Sequence, residues 1–275
     1  MTITFLSDLL KYRYPGLAEH IDHISKKENA IVRVINNTRD IWIRDYMPVM
    51  SSKGKLVKFK YRPSYLVGEF ESLITEERVI KEGFEFSFHQ SKIIADGGNF
   101  IWAGEKLLIC DRVFEENPQI SREELLQRLR YLLDAKDIIV LPTHPLDPLG
   151  HADGVVYHIK DNEVLIDGLG SNATEVDIKY FKNLRSILTG AGFHIIEAPV
   201  CDMKVANMDE WDARGSYVNI TRIGRTLLLP VFKDSRKDEL MNFYITLFRS
   251  DSLSFIGIDS LAKEGGGLHC VTWTV

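Results

Sequence analysis

Cys270 stands close to the C-terminal end of the chain, behind three glycines, in the run Gly265-Gly266-Gly267-Leu268-His269-Cys270-Val271-Thr272-Trp273. Glycine carries no side chain and permits backbone geometries closed to other residues, so a small molecule can approach this thiol. Three other segments carry ionisable groups: Trp42-Ile43-Arg44-Asp45, Asp96-Gly97-Gly98-Asn99 and Gly150-His151-Ala152-Asp153. A thiol, an imidazole and three carboxylates point to a cysteine nucleophile acting on a cationic substrate. His151 is the candidate acid/base, because imidazole titrates near neutrality. Asp153, two residues on in an expected strand, projects to the same face. Asp45 and Asp153 together suit a planar, forked guanidinium, which carboxylates hold through bidentate hydrogen bonds. Asp96 would orient His151 as the third group behind an acid/base. Trp42 would wall the pocket or stack on a cation.

Each residue also has a plainer reading. Cysteine is among the most buried residue types, so Cys270 could be an inert core thiol. Asp45 could pair with Arg44 at the surface, Asp96 could serve a turn, and Trp42 could fill a core. Four motifs arriving together favour a site. Cys110, between Ile109 and Asp111, reads as core, and Cys201, after Pro199-Val200, is ambiguous. His269 is expected on the opposite side of its strand from Cys270. A divalent ion on His144, His151 and Asp153 is conceivable, but the HExxH spacing is missing and Pro145 and Pro148 intervene. No metal and no organic cofactor is expected.

The elements that must position these groups recur. Each unit reads as two short strands joined by a turn, an amphipathic helix, and a further apolar strand. In the clearest copy the strands are 99–103 and 106–112, the helix 121–134 and the closing strand 137–141. Ser121 and Glu124 spell a capping box, and Leu125, Leu126, Leu129, Leu132 and Leu133 share one helical face. The next copy has strands at 154–159 and 163–166, a helix at 176–189 and a strand at 193–198. A third has strands at 216–221 and 226–232, a helix at 234–248 and a strand at 253–258. An earlier one has strands at 45–50 and 55–61, a helix at 69–82 and a strand at 84–88. The fifth is split, with a C-terminal strand at 269–274 joining an N-terminal helix at 6–24 and a strand at 30–35. A period near ~50 residues points to a ring of repeats, and splitting one repeat between the termini closes that ring without a free edge. One domain spanning residues 1–275 is expected. Each polar motif opens a repeat, so the motifs would converge on the ring axis.

Composition sets broad bounds. The chain has 275 residues, 45% hydrophobic and 27% charged, as in a globular enzyme. A net charge of −5 argues against a nucleic-acid partner. Three cysteines without a CxxC pair make no disulfide framework or zinc ribbon. The N-terminus meets charge too early for a signal peptide, and no apolar run reaches the ~20 residues that span a bilayer. The expectation is a cytoplasmic protein with no membrane partner, and a homo-oligomer is compatible with it.

These motifs resemble those of the agmatine deiminases and bacterial peptidylarginine deiminases of the guanidine-modifying (pentein) superfamily. That family's pattern is WxRDxGP, EGG, GHxD and a late GGGxHCxT. Here stand Trp42 to Pro48, Asp96-Gly97-Gly98, Gly150 to Asp153 and Gly265 to Thr272, with Tyr217-Val218-Asn219 and Leu229-Pro230 resembling a further YxN…VP segment. The resemblance implies an α/β fold, a five-bladed α/β propeller with pseudo-five-fold ββαβ repeats. It implies Cys270 as nucleophile, His151 as acid/base, Asp45 and Asp153 as guanidinium-holding carboxylates, and Asp96 behind the histidine. Trp42, Asp45, Asp153, Asp147 and Gly267 are the implied substrate-binding positions; Asp147 lies where agmatine-specific members place a glutamate. Three departures stand out. Asp96 is one methylene shorter than the family's glutamate, so an indirect contact to His151 is expected. Tyr46-Met47 replaces smaller residues beside Asp45, and the chain is short beside typical agmatine deiminases.

The expected activity is hydrolysis of a small cationic guanidino substrate through a cysteine-bound thiouronium, with agmatine giving N-carbamoylputrescine and ammonia. Arginine or peptidyl-arginine as substrate, and transfer of the amidino group to an amine, use the same groups. A non-catalytic binding ring is the third reading, and it leaves Cys270 without a purpose.

Overall fold

The computed structural model describes residues 2–199, 211–233 and 236–275. They form five three-stranded sheets. In every sheet the central strand pairs antiparallel with the strand before it and parallel with the strand that returns after a helical crossover. The second repeat shows the pattern. Ile101–Ala103 and Lys106–Cys110 form a hairpin, the helix Arg122–Leu133 crosses over, and Asp137–Leu141 returns parallel to Lys106–Cys110. The split repeat is built likewise: Trp273–Thr274 runs antiparallel to Ile3–Ser7, which lies parallel to Ile31–Ile35. Central strands are covered on both faces and read as continuous apolar runs. Thr226–Val231 and Ile3–Ser7 are buried throughout.

Four apolar clusters close the ring. One joins the split repeat to the first through Phe5, Trp273, Leu56 and Ile80. The next joins the first to the second through Phe59, Ile93, Leu107 and Leu129. Leu108, Leu141, Val164 and Leu188 join the second to the third. The largest carries Leu165, Leu228, Tyr244, Leu6 and Ile21, and so joins the third, the fourth and the split repeat. This is the ring of five ββαβ repeats expected from the sequence.

Several expected elements differ. The segment around Asp45 is a helical turn, Ile43–Tyr46, ahead of a strand of only two residues, Val49–Met50. Gly97–Asn99 and Ala152–Gly154 are likewise single 3-10 turns rather than strand starts. Residues 216–220 and 269–272 are turns too, so the strands there begin at Thr221 and Trp273. The chain opens with the strand Ile3–Ser7, and the expected long helix is two, Asp8–Arg13 and Pro15–Lys27, broken where Pro15 begins the second. The helix expected over 69–82 divides into a 3-10 stretch, Gly68–Leu73, and a shorter helix, Glu77–Gly83. The strand expected over 84–88 lies instead at His89–Ile94. Phe84 packs edge-on against Phe5 and Trp273, so that apolar run serves the core rather than a ladder. Only half of the Ser121 capping box forms. Ser121 Oγ accepts from the Glu124 amide at 3.2 Å, while the Glu124 carboxylate takes Arg128.

Candidate active site

Five turns, one before each hairpin, place their polar groups at the middle of the ring. They carry Asp45, Asp96 to Asn99, His151 with Asp153, Asn219, and Cys270. His151 Nε2 lies 2.9 Å from Asp96 Oδ2, so the shorter carboxylate reaches the imidazole directly. The Tyr65 hydroxyl donates to the same Asp96 oxygen at 2.7 Å. The other ring nitrogen, Nδ1, lies 3.6 Å from Asp45 Oδ1, which also accepts from the Gly98 amide at 3.0 Å.

Cys270 stands across from this wall. Its sulfur is 3.5 Å from Asp153 Oδ2, and the Asn219 side-chain amide donates to it at 3.2 Å. Asn219 Oδ1 accepts from the His269 amide at 2.8 Å. Arg44 links the wall to the thiol turn, its amide donating to the Cys270 carbonyl at 3.1 Å. Cys270, His151, Asp45, Asp96 and Asp153 are each less than a tenth exposed.

The glycines explain how the turns come so close. A methyl group on Gly98 would sit 2.7 Å from Asp45 Oδ1, 3.0 Å from His151 Nδ1 and 3.1 Å from Asp153 Oδ2. Three functional atoms from two turns therefore converge over the bare Cα of a third. In the Gly265–Gly267 run the absent side chains make room mainly for the protein's own groups. A Cβ on Gly266 would meet the Trp42 ring at 2.5 Å, one on Gly267 would meet Asn219 Oδ1 at 2.5 Å, and Gly265 has φ near +107°.

Burial and mutual charge set the protonation states. Burial alone would push the His151 proton off, but Asp45, the hydrogen bond to Asp96 and Asp153 outweigh it and raise His151 to about 10. Burial raises Asp45 to about 7, against the pull of His151. Asp153 is raised by burial, opposed by His151 and Arg44. Burial, then Asp153 and Asp45, push the Cys270 thiol well up. These shifts favour a thiol at Cys270 and a protonated imidazole at His151 in the resting site.

The structure thus brings together Cys270, His151, Asp153, Asp45 and Asp96. His151 and Asp153 share the site through a 3-10 turn and not through strand alternation. Trp42 is half-buried against Gly266, at the edge of the thiol turn. Gly267 backs Asn219. The Asp147 side chain accepts from the Leu149 amide at 2.8 Å. His144 lies 2.9 Å from Asp177 and edge-on to Tyr180, so the His144, His151 and Asp153 set is not assembled. Among the described residues no cluster of His, Cys, Asp or Glu is arranged to hold a metal. Cys110 is fully buried in its strand, as read, and Cys201 lies outside the described residues. Tyr65 and Arg44 were not expected in the site. Tyr65 lies in no motif, whereas Arg44 belongs to the segment Trp42-Ile43-Arg44-Asp45 but reads from sequence as a surface partner of Asp45.

The chain is similar to known proteins over most of its length. The chain is 23% identical to an agmatine deiminase of Pseudomonas fluorescens over 280 residues, which cover 88% of this chain and 76% of that protein. An agmatine deiminase of Pseudomonas aeruginosa is 21% identical over 90% of this chain and 78% of its own. The agmatine deiminase structure from C. jejuni superposes with a TM-score of 0.76 at 17% identity, covering 99% of this chain and 92% of that one. The more distant DDAH of Pseudomonas aeruginosa keeps the same pentein fold, with a TM-score of 0.59 at 12% identity over 99% of this chain and 98% of that one. The sequence profile of the Porphyromonas-type peptidyl-arginine deiminases matches residues 15–275, and the chain belongs to that family.

Proposed function

We propose that the protein hydrolyses a small guanidino compound, agmatine foremost, to a ureido product and ammonia. The observation that carries this reading is the placement of the Cys270 sulfur 3.5 Å from Asp153 Oδ2, with Asp45 and His151 converging on the same bare Gly98. Agmatine is favoured because the curated relatives above are agmatine deiminases. The family's own name makes arginine and peptidyl-arginine the compounds to test beside it.

Asp45 and Asp153 hold the guanidinium nitrogens through charge-assisted hydrogen bonds. The arriving cation offsets the two carboxylates that keep the Cys270 proton in place, so substrate binding itself favours the thiolate. The Cys270 thiol releases its proton to solvent as the cation binds, and the sulfur then attacks the guanidinium carbon: the C–S bond forms as the C=N π pair moves onto nitrogen. The departing nitrogen takes a proton from His151 and leaves as ammonia, giving a cysteine-bound thiouronium. Neutral His151 then takes a proton from water, whose oxygen attacks the same carbon. The C–S bond breaks, and the ureido product leaves with the thiol restored. Covalent catalysis divides a difficult hydrolysis into two accessible steps, and one imidazole serves both.

The test is a screen of agmatine, arginine, a peptidyl-arginine and simpler guanidines for ammonia release, with and without an acceptor amine. Ammonia and a ureido product without acceptor support hydrolysis. Turnover only with the acceptor would assign amidino transfer, and no turnover of any guanidine would overturn the reading.

A further inference from the structure

We infer that Tyr65 is a positioning residue for the reaction proposed above: its hydroxyl holds the Asp96 carboxylate against His151 and takes a share of that carboxylate's charge. The inference rests on that functional reading for its catalytic consequence, but not for its geometry.

Asp96 Oδ2 receives both the Tyr65 hydroxyl, at 2.7 Å, and His151 Nε2, at 2.9 Å. The other oxygen, Oδ1, is buried with no hydrogen-bond partner among the described residues. Among the described residues, one oxygen thus carries all of the carboxylate's hydrogen bonding, and Tyr65 is the neighbour besides His151 that fixes which way it faces. An aspartate has a short stem and reaches the imidazole from one direction only. A second donor on the same oxygen prevents the carboxylate from rotating off it.

Tyr65 is itself held firmly. The preceding residue, Ser64, donates through its amide and its hydroxyl to Glu116, and the following Leu66 is buried in the apolar cluster with Tyr46 and Ile80. The Tyr65 ring stands edge-on to His151, with centroids 6.1 Å apart, and edge-on to Trp211 at 6.0 Å. It therefore touches both members of the pair it aligns.

His151 is faced by Asp45 from the turn Ile43–Tyr46, by Asp96 ahead of Gly97–Asn99, by Asp153 from its own turn, and by Tyr65. Cys270 Sγ lies 3.5 Å from Asp153 Oδ2, and the Arg44 charge acts on Asp153. Of these, only Tyr65 donates a proton to Asp96 without taking part in the chemistry. Its hydroxyl holds its proton well beyond the ordinary tyrosine range, first by burial and then by the neighbouring Asp96, so it remains a donor throughout the working pH range. Removing the donor returns the charge of Oδ2 to His151, which raises the imidazole further, and leaves the carboxylate's aim less tightly fixed, which lowers kcat.

The experiment compares wild type with Tyr65→Phe, which keeps the ring. It uses steady-state kinetics and an NMR titration of the His151 ring resonances, assigned with His151→Gln. We expect kcat to fall about 10-fold, the scale for losing a group that orients a working imidazole, with KM within about twofold. The His151 midpoint should move upward by ~0.5–1 unit. An unmoved or lowered midpoint overturns the inference, as does an unchanged kcat in an active enzyme. A lower kcat with an unmoved midpoint also overturns it, because Tyr65 would then act elsewhere. If wild type turns over no guanidine while the midpoint still rises in Tyr65→Phe, the Tyr65–Asp96–His151 relation stands and the functional reading alone fails.

Discussion

One nitrogen of the Asn219 side chain donates both to the Cys270 sulfur, at 3.2 Å, and to the Asp153 carbonyl, at 3.3 Å. The amide ties the thiol turn to the carboxylate turn, and its oxygen holds the His269 amide. Asn219→Ala should lower kcat by about 10²-fold, as loss of one aligned donor at a reacting centre does. It should also cost ~1–3 kcal/mol of stability, because a backbone N–H loses its acceptor. Cys270→Ala should lower ammonia release by more than about 10³-fold with the melting temperature preserved. Near-wild-type release by Cys270→Ala would remove the thiol from the reaction.

His151→Ala and Asp153→Asn should fail differently. Loss of the acid/base lowers kcat by ~10²–10⁴-fold with a small change in KM. Intact-mass measurement should then find a trapped adduct on Cys270. Asp153→Asn weakens the hold on the cation by ~1.5–3 kcal/mol, read as a raised KM. Equal binding by Asp153→Asn, or normal turnover by His151→Ala, would show the roles to be misassigned.

On the proposed mechanism the free enzyme needs Asp45 ionised to hold the guanidinium and His151 protonated to release ammonia. Asp45 is raised to about 7 and His151 to about 10. The profile of kcat/KM against pH should therefore rise through neutrality and fall in the alkaline range, with apparent values that belong to the coupled pair. A profile flat through neutrality would contradict the burial of Asp45.

Gly97 and Gly98 should respond unequally to alanine. A Cβ on Gly97 would collide with the Arg44 carbonyl, which is backbone and cannot turn aside. Gly97→Ala should therefore destabilise the protein by about 2 kcal/mol or more, read as a lower denaturation midpoint. On Gly98 the colliding atoms are the Asp45, His151 and Asp153 side chains. Gly98→Ala should keep more stability and lose about 10²-fold in kcat/KM, because the groups it displaces are the working ones.

Asp40 gives a separate test of stability against pH. Burial raises it to about 6, opposed by the Ile41 amide, which donates to its Oδ1 at 2.6 Å. A carboxyl raised on folding helps the folded state below its unfolded value of ~3.8 and loses that help as pH climbs through the folded one. Asp40→Asn keeps the acceptor oxygen and has no proton to lose. It should raise the melting temperature in alkaline buffer, on a free-energy scale of about 3 kcal/mol, and leave it nearly unchanged in acid. A gain of equal size at both ends would rule out the carboxyl's ionisation as the cause.

Periodicity and turn chemistry are local, and what depends on them was legible in the chain. The strand Asp137–Leu141 lies where its apolar run puts it, and Ser121 starts the helix Arg122–Leu133. The order of the motifs placed Cys270, His151, Asp153, Asp45 and Asp96 at equivalent points of a closed ring, which is where the fold brings them together. Their local shape was not legible. Short segments of apolar and polar residues read equally well as strands, and only packing against neighbouring turns makes Ile43–Tyr46 and Ala152–Gly154 helical turns. Tyr65 joins Asp96 across 31 residues, and Asn219 joins Cys270 across 51. A hydrogen bond across such a separation leaves no mark in sequence spacing, because it exists only once the ring has closed and brought the five turns within reach of one another.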